Sequence, residues 1–356
     1  MKKIIVYNPD GIIRSDGYRF HGYITEFVKR YANYIFVPNP LKAIKMFKAI
    51  KCLKCGRKIK IVSSLIGLRD KNNILVGFGA DRKYTYGMEN FKGKKIFHLM
   101  DYYINVQNVK TFLKKIDADY VIGHCQMDKE CEFFKKYYSE YIGKVINLPF
   151  GYEDRFKCLR DFDKREKIAV GLGSINLIAD KRLSEEATKE MREFFKGRKY
   201  QHLVRAYIRD HADEFLDVID AKFPSDKQQK DYSYDAVEML NNYQMFVNDE
   251  GFSNFPPART YEGIACGCVM VAPISTIYES IGFIPDYNYI GYVKGDYQDL
   301  HDKIASYINN QEKLRWIQRN SLKLARKFNH EKIADLLYKS ILESLLYNIK
   351  CQGVDI

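Results

Sequence analysis

Apolar residues in this chain come in short runs, separated by stretches in which they recur every three to four positions. KKIIVYN, YIFVP, KIKIVSSL, NILVGFG, KKIFHLMDYY and ADYVIGHC read as strands, and GYRFHGYITEFVKRYA and LKAIKMFKAI, lying between the earliest of them, as helices. In the first helix Phe20, Ile24, Phe27, Val28 and Tyr31 form one apolar stripe, the face that docks on a sheet. The rhythm resumes after the middle of the chain: strand IAVGLGS, helix LSEEATKEMREFF, strand YQMFVNDE, helix ARTYEGIACG, strands CVMVAP and NYIGYV, helix DLHDKIASYIN. Alternation of this kind predicts α/β architecture with parallel sheets, here two sheets wound alike. The tail is helical and broken near Asn329, which can cap the final helix with Glu331 in its first turn.

Between the two halves, KVINLPFGYEDRFK closes a strand with Pro and Gly and leads into the charged run CLRDFDKREK. That shift places a boundary between 151 and 166 and divides the chain into 1–157, 158–328 and a C-terminal helix, 329–356. A chain of 356 residues is long enough for two cores. Its 46% apolar and 29% charged residues argue against disorder.

The net charge of +13 attracts anions: nucleotides, nucleic acid or an acidic membrane. Eight scattered cysteines lack the density of a disulfide scaffold and fit reduced, cytoplasmic thiols. Cys52 and Cys55 form one Cys-x-x-Cys, but no second pair follows at zinc-finger spacing. The opening MKKIIVYNPD is a strand and not a signal peptide, and no apolar run reaches the ~20 residues of a membrane span. Membrane contact is therefore expected at the periphery, with the basic segment 45–60 as the part that faces anionic lipid.

In open α/β sheets ligands bind beyond the carboxyl ends of the strands. Three such loops carry chemistry. In 251–273, Pro256 and Pro257 lead into a helix starting near Ala258 that Cys266-Gly267 stops, and a helix N-terminus in that place suits a diphosphate. Glu262, one turn inside, can accept both ribose hydroxyls, and Thr260, between it and Arg259, is expected among the nucleotide ligands. In 170–182, Gly171, Gly173 and Ser174 permit close approach of a phosphate, with Lys181 and Arg182 following. A departing pyrophosphate must be neutralised, and no Asp-x-Asp follows a strand, so Arg182, Lys181 and Arg259 are the candidate cations. The third group comprises Asp16, Gly17 and His21 in SDGYRFHG, His98 and Asp101 in FHLMDYY, and His124 in VIGHC.

The segment ARTYEGIACG resembles the SRxxEAxACG segment of GT-B glycosyltransferases of the group 1, family 4 kind. VINLPFGYEDRFK is similar to that family's exit from its first domain, and FNHEKIADLLYKSIL to its C-terminal helix. The resemblance covers roughly 145–345 and implies two Rossmann-like domains facing a cleft and closing about a hinge. It implies a nucleotide-sugar donor (UDP- or GDP-sugar) as co-substrate with no tightly bound cofactor, a saccharide or lipid-linked acceptor, retention of configuration, and a last helix packed on the N-terminal domain. Glu262 becomes the ribose ligand and His98 the histidine that touches the donor sugar. The family also carries a glutamate eight residues before the ribose ligand, where this chain has Asn254. Either Glu250, twelve residues before, takes that role or Asn254 does, and the amides of Ser253 and Asn254 face the phosphates in both cases. If the enzyme inverts, Asp101, His21 or Asp16 supplies the base.

The rival readings are a nucleotide-sugar epimerase or phosphorylase on the same fold, a nucleic-acid-binding or DNA-base-glycosylating protein, and an inactive scaffold. The first pair lack a motif, the second lacks a long basic stripe interleaved with aromatics, and the departure at Asn254 is what favours the third.

Overall fold

The strands form where β-branched and aromatic residues run without interruption, and the central ones, Ile4–Tyr7, Ile74–Phe78, Tyr243–Val247 and Val269–Pro273, are buried on both faces while the edge strand Lys60–Val62 is not. In the computed structural model, which describes residues 2–7, 22–52, 58–78, 84–124, 126–179, 183–225, 232–251 and 254–351, two units are resolved. One comprises residues 1–148 and 330–356, the other 149–329.

The first unit holds β1 (Ile4–Tyr7), β2 (Tyr34–Phe36), β3 (Lys60–Val62), β4 (Ile74–Phe78), β5 (Lys94–His98), β6 (Tyr120–Gly123) and β7 (Val145–Asn147), all parallel in the order 3-2-1-4-5-6-7. Strand order reverses between β1 and β4. Helix Tyr23–Tyr31 buries Ile24, Phe27 and Val28 of the predicted stripe and adds Tyr23, while Tyr31 is half-buried and Phe20 lies outside the described residues. The terminal helix His330–Cys351 packs on it: Tyr31 and Tyr338 stack 4.0 Å apart, and Arg30 pairs with Glu331 and Asp335.

The second unit holds β8 (Glu166–Gly171), β9 (Ile219–Ala221), β10 (Tyr243–Val247), β11 (Val269–Pro273) and β12 (Ile290–Tyr292), again parallel, in the order 9-8-10-11-12. Its reversal lies between β8 and β10. Ala169, Met245, Val247, Val269, Val271 and Ile290 form the centre of its core.

The units divide between 148 and 149, earlier than the composition shift suggests, because 149–157 bonds into the second unit. The Tyr152 amide donates to the Phe328 carbonyl at 3.0 Å, and Asn241 Nδ2 to the Lys157 carbonyl at 3.1 Å. The helix expected over LSEEATKEMREFF is only Lys189–Phe194. Ser184 and Thr188 upstream bond the local backbone instead, at 3.1 and 3.2 Å.

Candidate functional site

The reversal between β8 and β10 is where an open sheet parts its loops, so the ends of those strands are the place for a ligand. Beyond β8 stands Gly173, at φ +118°, a backbone only glycine adopts without strain. Its missing Cβ leaves room for Arg205, whose Nη1 would lie 2.5 Å from such an atom. Arg205 comes from helix Leu203–Asp210 and donates through Nη1 to the Ser174 carbonyl at 2.9 Å. Beyond β10, Asp249 accepts from the amides of Arg205 and Gly251, at 3.1 and 2.7 Å. Its charge is thus held by backbone, and among the described residues no acid forms an ion pair with Arg205 or Arg259.

Arg259 occupies the first turn of helix Ala258–Ala265, bonded through Nη2 to the Tyr234 hydroxyl and lying over that ring at 5.2 Å. Arg205 Nε, Arg259 Nε and Nη1, and His202 Nδ1 are all buried with no hydrogen-bond partner. Burial, and then Arg205 beside it, pushes His202 down to about 3, while burial lowers Arg205 itself. A buried donor left unmade costs roughly 1–3 kcal/mol, and more when charged. Two adjacent guanidinium groups with idle N–H groups at a helix N-terminus form a receptor for a polyanion.

Glu262 lies one turn further along the same helix, 4% exposed, and burial pushes it up to about 7 against the pull of Arg259 and Arg155. Among the described residues nothing donates to its carboxylate, so a ligand hydroxyl has an acceptor waiting. Thr260, expected among the nucleotide ligands, is instead spent on the core: fully buried, its Oγ1 accepts from Asn248 Nδ2 at 2.9 Å.

Glu250 and Asn254, alternatives in the sequence, meet at one cation. Lys294, just past β12, donates to Glu250 Oε2 at 2.7 Å and to Asn254 Oδ1 at 3.1 Å. Glu250 is buried, which raises its pKa against the opposing Lys294, and its Oε1 has no partner. Asn254 sits at φ +56°. Gly173 and Ser174 thus lie past the end of β8, and Arg259 and Glu262 on the helix that follows β10, together with Arg205, His202, Asp249 and Lys294. The sequence reading passed over these four. Lys294 follows a strand and could have been found by the loop rule, but nothing local marks Arg205. Arg182, Lys181 and Ser253 lie outside the described residues.

In the first unit, His98 closes β5, buried, with Nε2 3.0 Å from the Tyr23 hydroxyl and its ring 5.3 Å from that of His124. His124, bonded to the Leu148 carbonyl, is pushed down to about 4 by burial. Asp101 stands apart from them, exposed at φ +44° and accepting from Tyr103 at 3.1 Å. His21, Asp16 and Gly17 lie outside the described residues. Among the described residues no cluster of His, Cys, Asp and Glu is placed to hold a metal ion, and no helix is long and apolar enough to cross a membrane.

No family model matches the sequence, and no curated protein matches it. Solved structures do resemble it. HepE of Anabaena, in complex with UDP, superposes with a TM-score of 0.52 over 96% of this chain and 100% of its own, at 12% identity. Sucrose-phosphate synthase of Thermosynechococcus elongatus does so with 0.50, over 98% and 100%, at 13% identity. A glycosyltransferase of Rickettsia africae gives 0.50 over 96% and 97%, at 11% identity. With two doubly wound parallel sheets, these likenesses establish the fold as that of GT-B glycosyltransferases.

Proposed function

We propose that this protein is a glycosyltransferase that takes a sugar from a nucleoside-diphosphate donor, UDP- or GDP-linked, and passes it to a hydroxyl on a saccharide or lipid-linked acceptor. The observation that carries this is a pair of guanidinium groups, Arg205 and Arg259, with buried N–H groups that have no partner, Arg259 lying one helical turn from the buried Glu262 carboxylate, to which nothing donates among the described residues. A nucleoside diphosphate offers the matching chemistry, two phosphates and a pair of ribose hydroxyls.

In this reading Arg205 and Arg259, with the helix N-terminus, receive the charge that grows on the diphosphate as the bond to the anomeric carbon breaks. Glu262 holds the ribose. Glu250, Asn254 and Lys294 face the sugar hydroxyls. The acceptor oxygen forms the new bond with retention at the anomeric carbon, and its proton passes to the departing phosphate oxygen. The products are the glycoside and the free nucleoside diphosphate. The fixed cations do this without a metal ion. The chain's positive balance supports a working place at an acidic membrane surface, within the cytoplasm.

The test is calorimetric titration with UDP, GDP and their sugars, beside anomer-resolved NMR of the products. Binding that Glu262→Ala and Arg259→Ala abolish supports the reading. A protein that binds no nucleotide overturns it.

A further inference from the structure

Helix Pro40–Cys52 turns one face onto β3 and buries Met46 there, but its opposite face is uncovered. Leu41, Ile44 and Phe47 are 73%, 60% and 54% exposed. Their three-residue spacing keeps them on one side of the helix, and Lys45, Lys48 and Lys51, also exposed, flank them on that side. The Lys51 ammonium lies 4.7 Å from the centre of the Phe47 ring. Single exposed apolar residues are ordinary, but three in a row on one helix mark a contact surface.

Charge decides what it contacts. Residues 40–60 contain eight Lys or Arg and no Asp or Glu, and no acidic residue occurs anywhere between Phe27 and Arg69. A second copy of the chain would bring this basic face against itself. An acidic bilayer meets both halves of the pattern: apolar side chains enter the acyl boundary while lysine ammoniums reach back to the phosphates. We infer that the Leu41, Ile44 and Phe47 face of this helix docks the protein on an anionic lipid surface. The inference rests on the reading of an acidic-membrane working place and is independent of the donor site.

The test is co-sedimentation of the full-length protein with phosphatidylcholine vesicles, alone or with about 30% phosphatidylglycerol, at about 0.1 M salt. The native protein is expected on the anionic vesicles only. Leu41→Gln/Ile44→Gln/Phe47→Gln should weaken binding roughly 10-fold or more, and Lys45→Glu/Lys48→Glu/Lys51→Glu about 100-fold. Since all six side chains are exposed, both variants should keep the native melting temperature. The sole tryptophan, Trp316, belongs to the other unit, so Phe47→Trp in a Trp316→Phe background gives a clean reporter whose emission should shift to the blue on anionic vesicles. If the native protein binds and the glutamine variant binds equally, the helix assignment is wrong while the membrane reading stands. If the native protein binds no vesicle, both fall. A native dimer that the glutamine variant dissociates, without vesicle binding, makes the occupant a second copy.

Discussion

Glu262 ties nucleotide affinity to pH in a way that can be worked through. In the free protein burial holds it at about 7 instead of the ordinary 4.5. A carboxylate that accepts hydroxyl hydrogen bonds is favoured in its charged form, so ligand binding must lower that value and release a proton wherever Glu262 was protonated. At pH 5.5 only about 3% of the free protein carries the charge, so UDP should bind about 30-fold more weakly than at pH 8.5 on this account alone. The terminal phosphate of UDP also titrates in this range. Glu262→Gln isolates the protein's part, because the ligand's own ionisation cancels in the ratio of the two dissociation constants. Calorimetric titration from pH 5.5 to 8.5 should show native and variant nearly equal at the acid end and diverging by more than 10-fold at the alkaline end. Near pH 6, buffers of different ionisation enthalpy should reveal close to one proton released by the native protein. The same buried charge has the opposite effect on the unliganded fold. The folded state holds the proton more tightly than the unfolded chain, so stability falls as pH rises from 4.5 to about 7, by at most about 3 kcal/mol. Glu262→Gln should therefore melt higher than native at pH 8. A ratio of constants that stays flat across the pH range would falsify the assignment of Glu262 to the ribose.

Arg205→Met removes a buried guanidinium whose Nε is unpaired, so the free protein should be at least as stable, by up to about 2 kcal/mol in chemical unfolding, while diphosphate binding is lost. Destabilisation together with full binding would show that Arg205 is structural. Gly263→Ala gains about 1 kcal/mol of helix propensity, but the new methyl would lie 2.3 Å from the buried Phe246 ring, so a net loss of about 1–3 kcal/mol is expected. Adding Phe246→Leu should restore most of it, and no recovery in the double variant would rule out the clash as the cause. His124 and His202 are buried neutral, in separate units, with values of about 4 and about 3. Their contribution is complete above pH 6.5 and lost as pH falls, about 2–3 kcal/mol each by pH 4.5. His124→Gln should lose less than native between pH 7 and 4.5 in denaturant titration, and parallel curves would count against buried neutral histidines.

The two-sheet plan was legible because strands covered on both faces appear as unbroken apolar runs, a signal that survives without any knowledge of the partner strand. Glu262 and Arg259 were legible for a similar reason: strand, turn and helix start follow one another within a few residues. Arg205 was not, since its role depends on Asp249, 44 residues away, holding its amide, and on the absent side chain of Gly173. Thr260 was misread because adjacency to Arg259 says nothing about which face a residue turns, and only the distant Asn248 shows it facing inward. The boundary was placed late because CLRDFDKREK looks like a solvated linker. Arg165 within it is 3% exposed and ties the Cys266 and Leu240 carbonyls together, at 2.8 and 3.2 Å. Charge count alone cannot distinguish a surface arginine from one that gathers buried carbonyls.

The first unit is closed by the last helix of the chain, which means that the second is an insertion within it. During synthesis, helix Tyr23–Tyr31 is made before Tyr338, on which it stacks, and Asp335, with which it pairs, and the whole of 149–329 is made in between. Residues 149–329 carry their whole sheet and can fold while that wait lasts. A nonsense mutation near residue 330 would therefore spare the later-made unit and strand the earlier one, whose buried helix face would be left to chaperones.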